Sequence, residues 1–213
     1  MPGRTDPLPP WLQVQAQCAP AVQSWGIHAL DFLADLARIT EKQPPHHREF
    51  TVYPLPEPFA LREAVPADRE FLFGLYGTTR DDLHQAVPDA ALLQQLLAMQ
   101  YQAQEAGYRQ GFPEARQWLV LKAGHPVGRV VVDIAPAGLR VVDIAVLPQT
   151  RRSGAATAVL AALQAQAQAQ QLPLHLAVHH TNTAARRLYE KLGFTATSQD
   201  ELMAQMTWLG TPA

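Results

Sequence analysis

Val141-Val142-Asp143-Ile144-Ala145-Val146-Leu147-Pro148 runs into Gln149-Thr150-Arg151-Arg152-Ser153-Gly154-Ala155-Ala156 and then into Thr157-Ala158-Val159-Leu160. The stretch reads as strand, loop and helix start. Its first block is β-branched and apolar, Pro148 ends it by denying the sheet a donor, and beyond the small-residue loop the apolar positions take helical spacing. A junction of this kind binds phosphate. Backbone N–H groups at a helix N-terminus have no intrahelical partner, the dipole is positive there, and small residues let an anion approach. Arg151 and Arg152 add planar, permanently charged donors suited to phosphate.

Downstream, Leu174-His175-Leu176-Ala177-Val178 is a short strand, followed by His179-His180-Thr181-Asn182. Thr181 or Asn182 can cap a helix that turns Ala185, Leu188, Tyr189 and Leu192 inward and stops at Gly193. The tail from Phe194 to Trp208 supplies a last hairpin, with Met203 to Trp208 as its final strand. The Ala-Gln tract between Ala155 and about Gln171 consists of helix-favouring residue types and is expected to be helical.

Upstream, Phe59 to Ala64 alternates as a first strand, and Pro66 opens a helix through Phe71, Leu72, Leu75 and Tyr76. A second helix is expected from about Asp89 to Arg109, with Leu92, Leu93, Leu96, Leu97 and Gln100 on one face and Tyr101, Glu105 and Tyr108 toward its far end. Trp118 to Leu121 and Val127 to Asp133 flank the turn Ala123-Gly124-His125-Pro126. With the strand beginning at Val141 they make a three-stranded meander. Residues 1–57 read as an N-terminal extension, with one amphipathic helix from about Val22 to Ile39 and a proline-rich linker around Lys42 to Arg48 and Tyr53 to Pro58. Residues 58–213 form the main domain.

Composition narrows the function classes. The apolar fraction is 47% and the formal net charge is −2, so nothing argues for nucleic-acid or membrane affinity. Cys18 is the only cysteine, which excludes an intrachain disulfide and a multi-cysteine zinc site and suits a reducing compartment. The opening residues hold no signal-like apolar core, and a cytoplasmic protein is expected.

Two blocks together resemble one family. Arg151-x-x-Gly154-x-Ala156 resembles the Q/R-x-x-G-x-G/A pyrophosphate loop of the GNAT superfamily of N-acetyltransferases. Val178-x-x-x-Asn182-x-x-Ala185-x-x-Leu188-Tyr189-Glu190-Lys191-Leu192-Gly193-Phe194 is similar to the C-terminal GNAT motif. The run Leu-Arg-x-Ala-x-x-x-Asp from Leu61 to Asp68 resembles a common GNAT beginning. The resemblance covers residues 58–210 and implies an α/β (α+β) GNAT fold. Such a fold has a mixed, mostly antiparallel sheet of about six to seven strands, splayed between the fourth and fifth and flanked by about four helices.

The resemblance also implies acetyl-CoA as cosubstrate, no metal, and direct transfer of acetyl to a primary amine of a small molecule or peptide in a ternary complex. It assigns cofactor contacts to Ala145 and Val146 on the strand, to Arg151, Arg152, Ser153, Gly154, Ala155 and Ala156 in the loop, and to Asn182 and Tyr189. Tyr189 would donate to the departing thiolate. For the base, Asp143, His179, His180 or a water chain remain open, and Asp143 serves as base or amine anchor if a bulge turns it toward the cleft. Some members that acetylate protein N-termini carry a glutamate where this chain has Ala177. His175 and His179 share a strand face with no further ligand in view. Arg80, Tyr101, Glu105 and Tyr108 would line the acceptor side. Rival readings are a catalytically silent acetyl-CoA-binding module, a protein N-terminal acetyltransferase, and a homodimer or a partner held by the extension.

Overall fold

The computed structural model of the chain describes residues 54–210. The expected helix at Val22–Ile39, the Lys42–Arg48 linker and Cys18 lie outside the described residues. In chain order the strands are β1 (Phe59–Glu63), β2 (Arg116–Lys122), β3 (His125–Ala135), β4 (Gly138–Val146), β5 (Leu174–His179), β6 (Thr195–Gln199) and β7 (Met203–Trp208). The helices are α1 (Arg69–Gly77), α2 (Asp81–Ala86), α3 (Ala90–Gly111), α4 (Ala155–Gln170) and α5 (Thr183–Lys191).

The strands form one sheet in the order β1-β2-β3-β4-β5-β7-β6. All neighbours are antiparallel except β4 and β5. This is the mixed sheet that the resemblance implies, with the break where it was expected. The parallel pair is joined only at Leu139, Arg140 and Val141, which face Leu174, His175 and Leu176. Beyond that point β4 runs to Val146 and β5 to His179 without pairing. Five helices lie among the described residues, in keeping with the expected four or so; the short α2 starts at Asp81 and Asp82, whose charges are favourable at the positive end of the helix dipole.

Each face of the sheet has its own core. On one side α4 packs Val159, Leu160 and Leu163 against Val130, Val132, Leu139 and Val141. The alanines of α4 let it lie close to the strands. Leu55 is already buried in this core, ahead of the boundary expected near residue 57. On the other side Leu119 meets Leu72 and Tyr76 of α1 and Leu97 and Tyr101 of α3. Leu92 was expected on the buried face of α3, yet it is 49% exposed. It lies one position off the i, i+4 row Leu93, Leu97, Tyr101 that meets the sheet.

The register of β3 against β4 contains a bulge that decides the site. Val132 pairs with Val141 and Val131 with Asp143, so Val142 has no partner of its own. One surplus residue reverses the in-out alternation beyond it. Val141 faces α4, and regular alternation would send Asp143 there too. Instead Asp143 lies with Val131 and Arg129 on the side of α1 and α3, the side that Leu119 opposite Arg129 also occupies.

Gly128 lets β4 come this close. A Cβ at Gly128 would collide with the carbonyl oxygen of Ala145 on the neighbouring strand. Gly128→Ala is therefore expected to cost about 1–3 kcal/mol through overpacking, read as a lower urea midpoint at unchanged m-value.

Candidate active site

Where β4 and β5 part, a cleft of about 130 Å³ opens, lined among others by Val142, Asp143, Ala177, His179, Asn182 and Tyr189. Residues of two strands, the cap of α5 and a residue of its last turns thus meet in one place. The backbone contributes as well. Leu147 N–H bonds to the Val127 carbonyl at 2.9 Å. Successive N–H groups of a strand point to opposite sides, so the Val146 N–H is turned away from β3 toward the gap left by β5. Tyr189 is 7% exposed and its ring lies 6.0 Å from that of Phe194. Burial pushes its phenol up to about 12, and the Asp143 charge adds to the rise. The hydroxyl therefore keeps its proton at neutral pH.

Asn182 has non-helical backbone angles, and its side-chain oxygen accepts the Ala185 N–H at 3.1 Å. That is an N-cap. It leaves the side-chain amide N–H groups for the cleft, so capping and ligand contact are compatible in one residue.

The loop ahead of α4 has the form of an anion cradle. Pro148–Thr150 make a single 3-10 turn, Arg152 has φ 61 and Gly154 has φ 94. The left-handed angle at Gly154 is one that a Cβ would strain. No side chain caps α4, so its first N–H groups remain without a side-chain acceptor. The Ser153 hydroxyl oxygen is buried with no hydrogen-bond partner, an orphan that an incoming phosphate oxygen would satisfy. Arg151 and Arg152 are exposed beside it, Ala155 is buried and Ala156 half-buried at the helix start. The residues present fit a diphosphate group.

Below the cleft lies a charged cluster that the sequence reading had not assembled. Arg129, on β3, is 2% exposed. Its Nε donates to Asp143 Oδ2 at 2.7 Å, one NH group to Glu105 Oε1 at 3.2 Å and the other to Gln104 Oε1 at 2.7 Å. Its guanidinium carbon stands 5.8 Å from the centre of the Tyr108 ring. Burial alone would lower the arginine's pKa, but the nearby Asp143, Tyr108 and Glu105 hold it raised. Burial, with Asp143 and Glu105 adding to it, pushes the Tyr108 hydroxyl well above the ordinary phenol range.

Three of the sequence-named residues, Asp143, Glu105 and Tyr108, thus converge on one unforeseen arginine. The signal was present as a lone cation within Val127-Gly128-Arg129-Val130-Val131-Val132, at a position where the strand faces inward.

Of the other residues expected to line the acceptor side, Arg80 is the N-cap of α2 and Tyr101 lies on α3. Arg80 donates to Tyr76 Oη at 2.7 Å, to Gln100 Oε1 and to both oxygens of Asp82, and its guanidinium lies over the Tyr76 ring. It ties α1, α2 and α3 together. Tyr101 packs between Phe73 and Tyr76 and borders an open groove of about 470 Å³ with Arg69 and Glu70. His175 contacts Thr207 Oγ1, His179 contacts Thr181 Oγ1, and His180 contacts the Asp200 carbonyl. Among the described residues no group of three or more His, Cys, Asp and Glu is placed to hold a metal ion. No helix among them is long and apolar enough to cross a membrane.

A family model described as the acetyltransferase (GNAT) family matches residues 83–194, just over half of the chain. The chain belongs to the GNAT acetyltransferase family. That match runs from α2 to the residue after the Gly193 stop, so it contains both the loop before α4 and the Asn182–Tyr189 helix, and the protein carries a GNAT acyltransferase domain.

Solved structures share the fold. PaiA N-acetyltransferase from Thermoplasma acidophilum, in complex with coenzyme A, aligns at a TM-score of 0.54 and 14% identity over 70% of this chain and 97% of that one. The ribosomal-protein-S18-alanine N-acetyltransferase from Escherichia coli aligns at 0.53 and 17% identity over 73% and 96%. The ribosomal L7/L12 alpha-N-protein acetyltransferase RimL aligns at 0.56 and 14% identity over 78% and 98%. No curated protein sequence matches the chain at a significant level.

Within this GNAT domain the cap made by Asn182 can be weighed on its own. Asn182→Ala is expected to lose about 1 kcal/mol of stability with the cap. Asn182→Asp keeps an acceptor for Ala185 N–H and is expected to hold wild-type stability. Urea midpoints of the two variants check both outcomes.

Proposed function

We propose that this GNAT domain transfers acetyl from acetyl-CoA directly to a primary amine of a small molecule or peptide, in a ternary complex. One observation carries the reading: Asp143 of β4 meets Asn182 and Tyr189 of α5 in the cleft where β4 leaves β5, and β4 leads through one short loop to an α4 N-terminus that no side chain caps. The N–H groups of Gly154 to Ala156 and the Ser153 hydroxyl, with Arg151 and Arg152, would hold the diphosphate. Asn182 would bond the pantetheine arm. Ala145 and Val146 would line the thioester, with the Val146 N–H aimed at the carbonyl oxygen as charge develops there.

In the transfer the neutral amine nitrogen attacks the thioester carbon, a C–N bond forms, the C–S bond breaks, and CoA leaves as a thiolate. The amine gives up one proton and the sulfur gains one. A lysine-like amine with pKa near ~10.4 costs about 4–5 kcal/mol to neutralise at pH 7. Asp143 would hold the ammonium and take or relay its proton. A phenol near 12 is a weaker acid than a thiol near ~8.5, so complete transfer from Tyr189 costs about 5 kcal/mol. Tyr189 therefore acts as a hydrogen-bond donor to sulfur through C–S cleavage. Glu105, Tyr108 and Tyr101 on α3, and Arg80 at the start of α2, would face the acceptor.

The test is release of free CoA with a panel of polyamines, amino-acid amides and short peptides, the last because two of the structural neighbours act on ribosomal proteins. At least one amine is expected to turn over. Tyr189→Phe is expected to lower kcat by about a hundredfold at saturating acetyl-CoA with its fold intact. Unchanged turnover in that variant removes the donor role. Tight acetyl-CoA binding with no turnover on any amine would make the domain a silent cofactor-binding module.

A further inference from the structure

We propose that Arg129 is a positioning residue for acetyl transfer: it binds Asp143 Oδ2 through Nε while its NH groups hold Glu105 and Gln104, and so aims the other oxygen of Asp143 into the β4–β5 cleft. The proposal rests on the reading that Asp143 handles the acceptor amine. Asp143 both lines the cleft and bonds Arg129, and its Oδ1 makes no hydrogen bond among the described residues. A carboxylate has a broad terminal torsion, so without an anchor its free oxygen would sweep a wide arc.

Arg129 supplies an anchor of unusual stiffness. All three guanidinium nitrogens are engaged, on two different secondary-structure elements, and the side chain is only 3% exposed. The planar fork gives each bond a fixed direction. The cluster also carries two carboxylates against one guanidinium, which leaves a net negative charge beside the cleft and draws an ammonium toward Asp143. Because Glu105 and Gln104 belong to α3, the acceptor-side helix and the carboxylate move as one body. The charged and titratable groups facing Asp143 are Arg129 from β3, Glu105 and Tyr108 from α3, Tyr189 from α5, and His179 at the end of β5.

The test uses the full chain and the best amine of the panel above. Arg129→Lys keeps the charge but offers one nitrogen in place of three. It is expected to lower kcat about 10–100-fold while KM for acetyl-CoA and the melting temperature stay close to wild type. Glu105→Gln loosens the same clamp without touching the Arg129–Asp143 pair and carries the test if Arg129→Lys fails to fold; it is expected to lower kcat severalfold at unchanged KM for acetyl-CoA.

Wild-type kcat in a folded Arg129→Lys overturns the proposal alone. Wild-type kcat in Glu105→Gln overturns the tie to α3. Absence of turnover on every amine by the unsubstituted protein overturns the functional reading beneath it, and the proposal with it.

Discussion

β4 holds one residue more than β3 can pair, and the surplus falls at Val142. The geometry of the cleft follows from that single mismatch. On the C-terminal side of the bulge the strand's alternation is inverted, so Asp143 leaves the α4 core and joins the face covered by α1 and α3. At the same point β4 loses β5, whose pairing ends at Leu176. An unpaired strand edge inside a sheet normally costs its hydrogen bonds. Here the Val146 N–H is left facing a cleft, where a ligand amide or carbonyl can satisfy it.

The inversion places a carboxylate in a partly dry site, which is tolerable only if its charge is met. Arg129 meets it. Removing an arginine from water costs several kcal/mol, and the cost is recovered only when acceptors and opposite charges replace the lost water. Asp143, Glu105 and Gln104 supply those acceptors, and Tyr108 covers the guanidinium face. The cluster is therefore required by the burial of Arg129, and it ties β4, which borders the cleft, to α3.

The anion loop obeys a different constraint. Gly154 takes φ 94 and Arg152 φ 61, which turns the chain sharply enough for α4 to start without a side-chain cap. The orphaned Ser153 hydroxyl then lies directly before the first N–H groups of α4. Arg151 and Arg152 stay exposed around it, where they can meet phosphate without paying for burial.

Much of this was legible in the residues themselves. The strand-loop-helix order around Pro148 and Gly154, the Asn182 cap, the Tyr189 helix ending at Gly193 and the meander before β4 all follow from local chemistry: proline lacks a donor, glycine reaches left-handed angles, and apolar spacing sets the period. Those signals act over a few residues, so the sequence alone determined the elements, their order and the family. What the chain order could not carry was register. Whether Asp143 faced α4 or α3 depended on where β3 and β4 slip by one residue, and that is set by the close approach at Gly128 and by packing on both faces. Arg129 escaped notice for the same reason. Its partners lie 14, 24 and 25 residues away, and only the folded sheet with α3 laid across it brings their charges within hydrogen-bond reach.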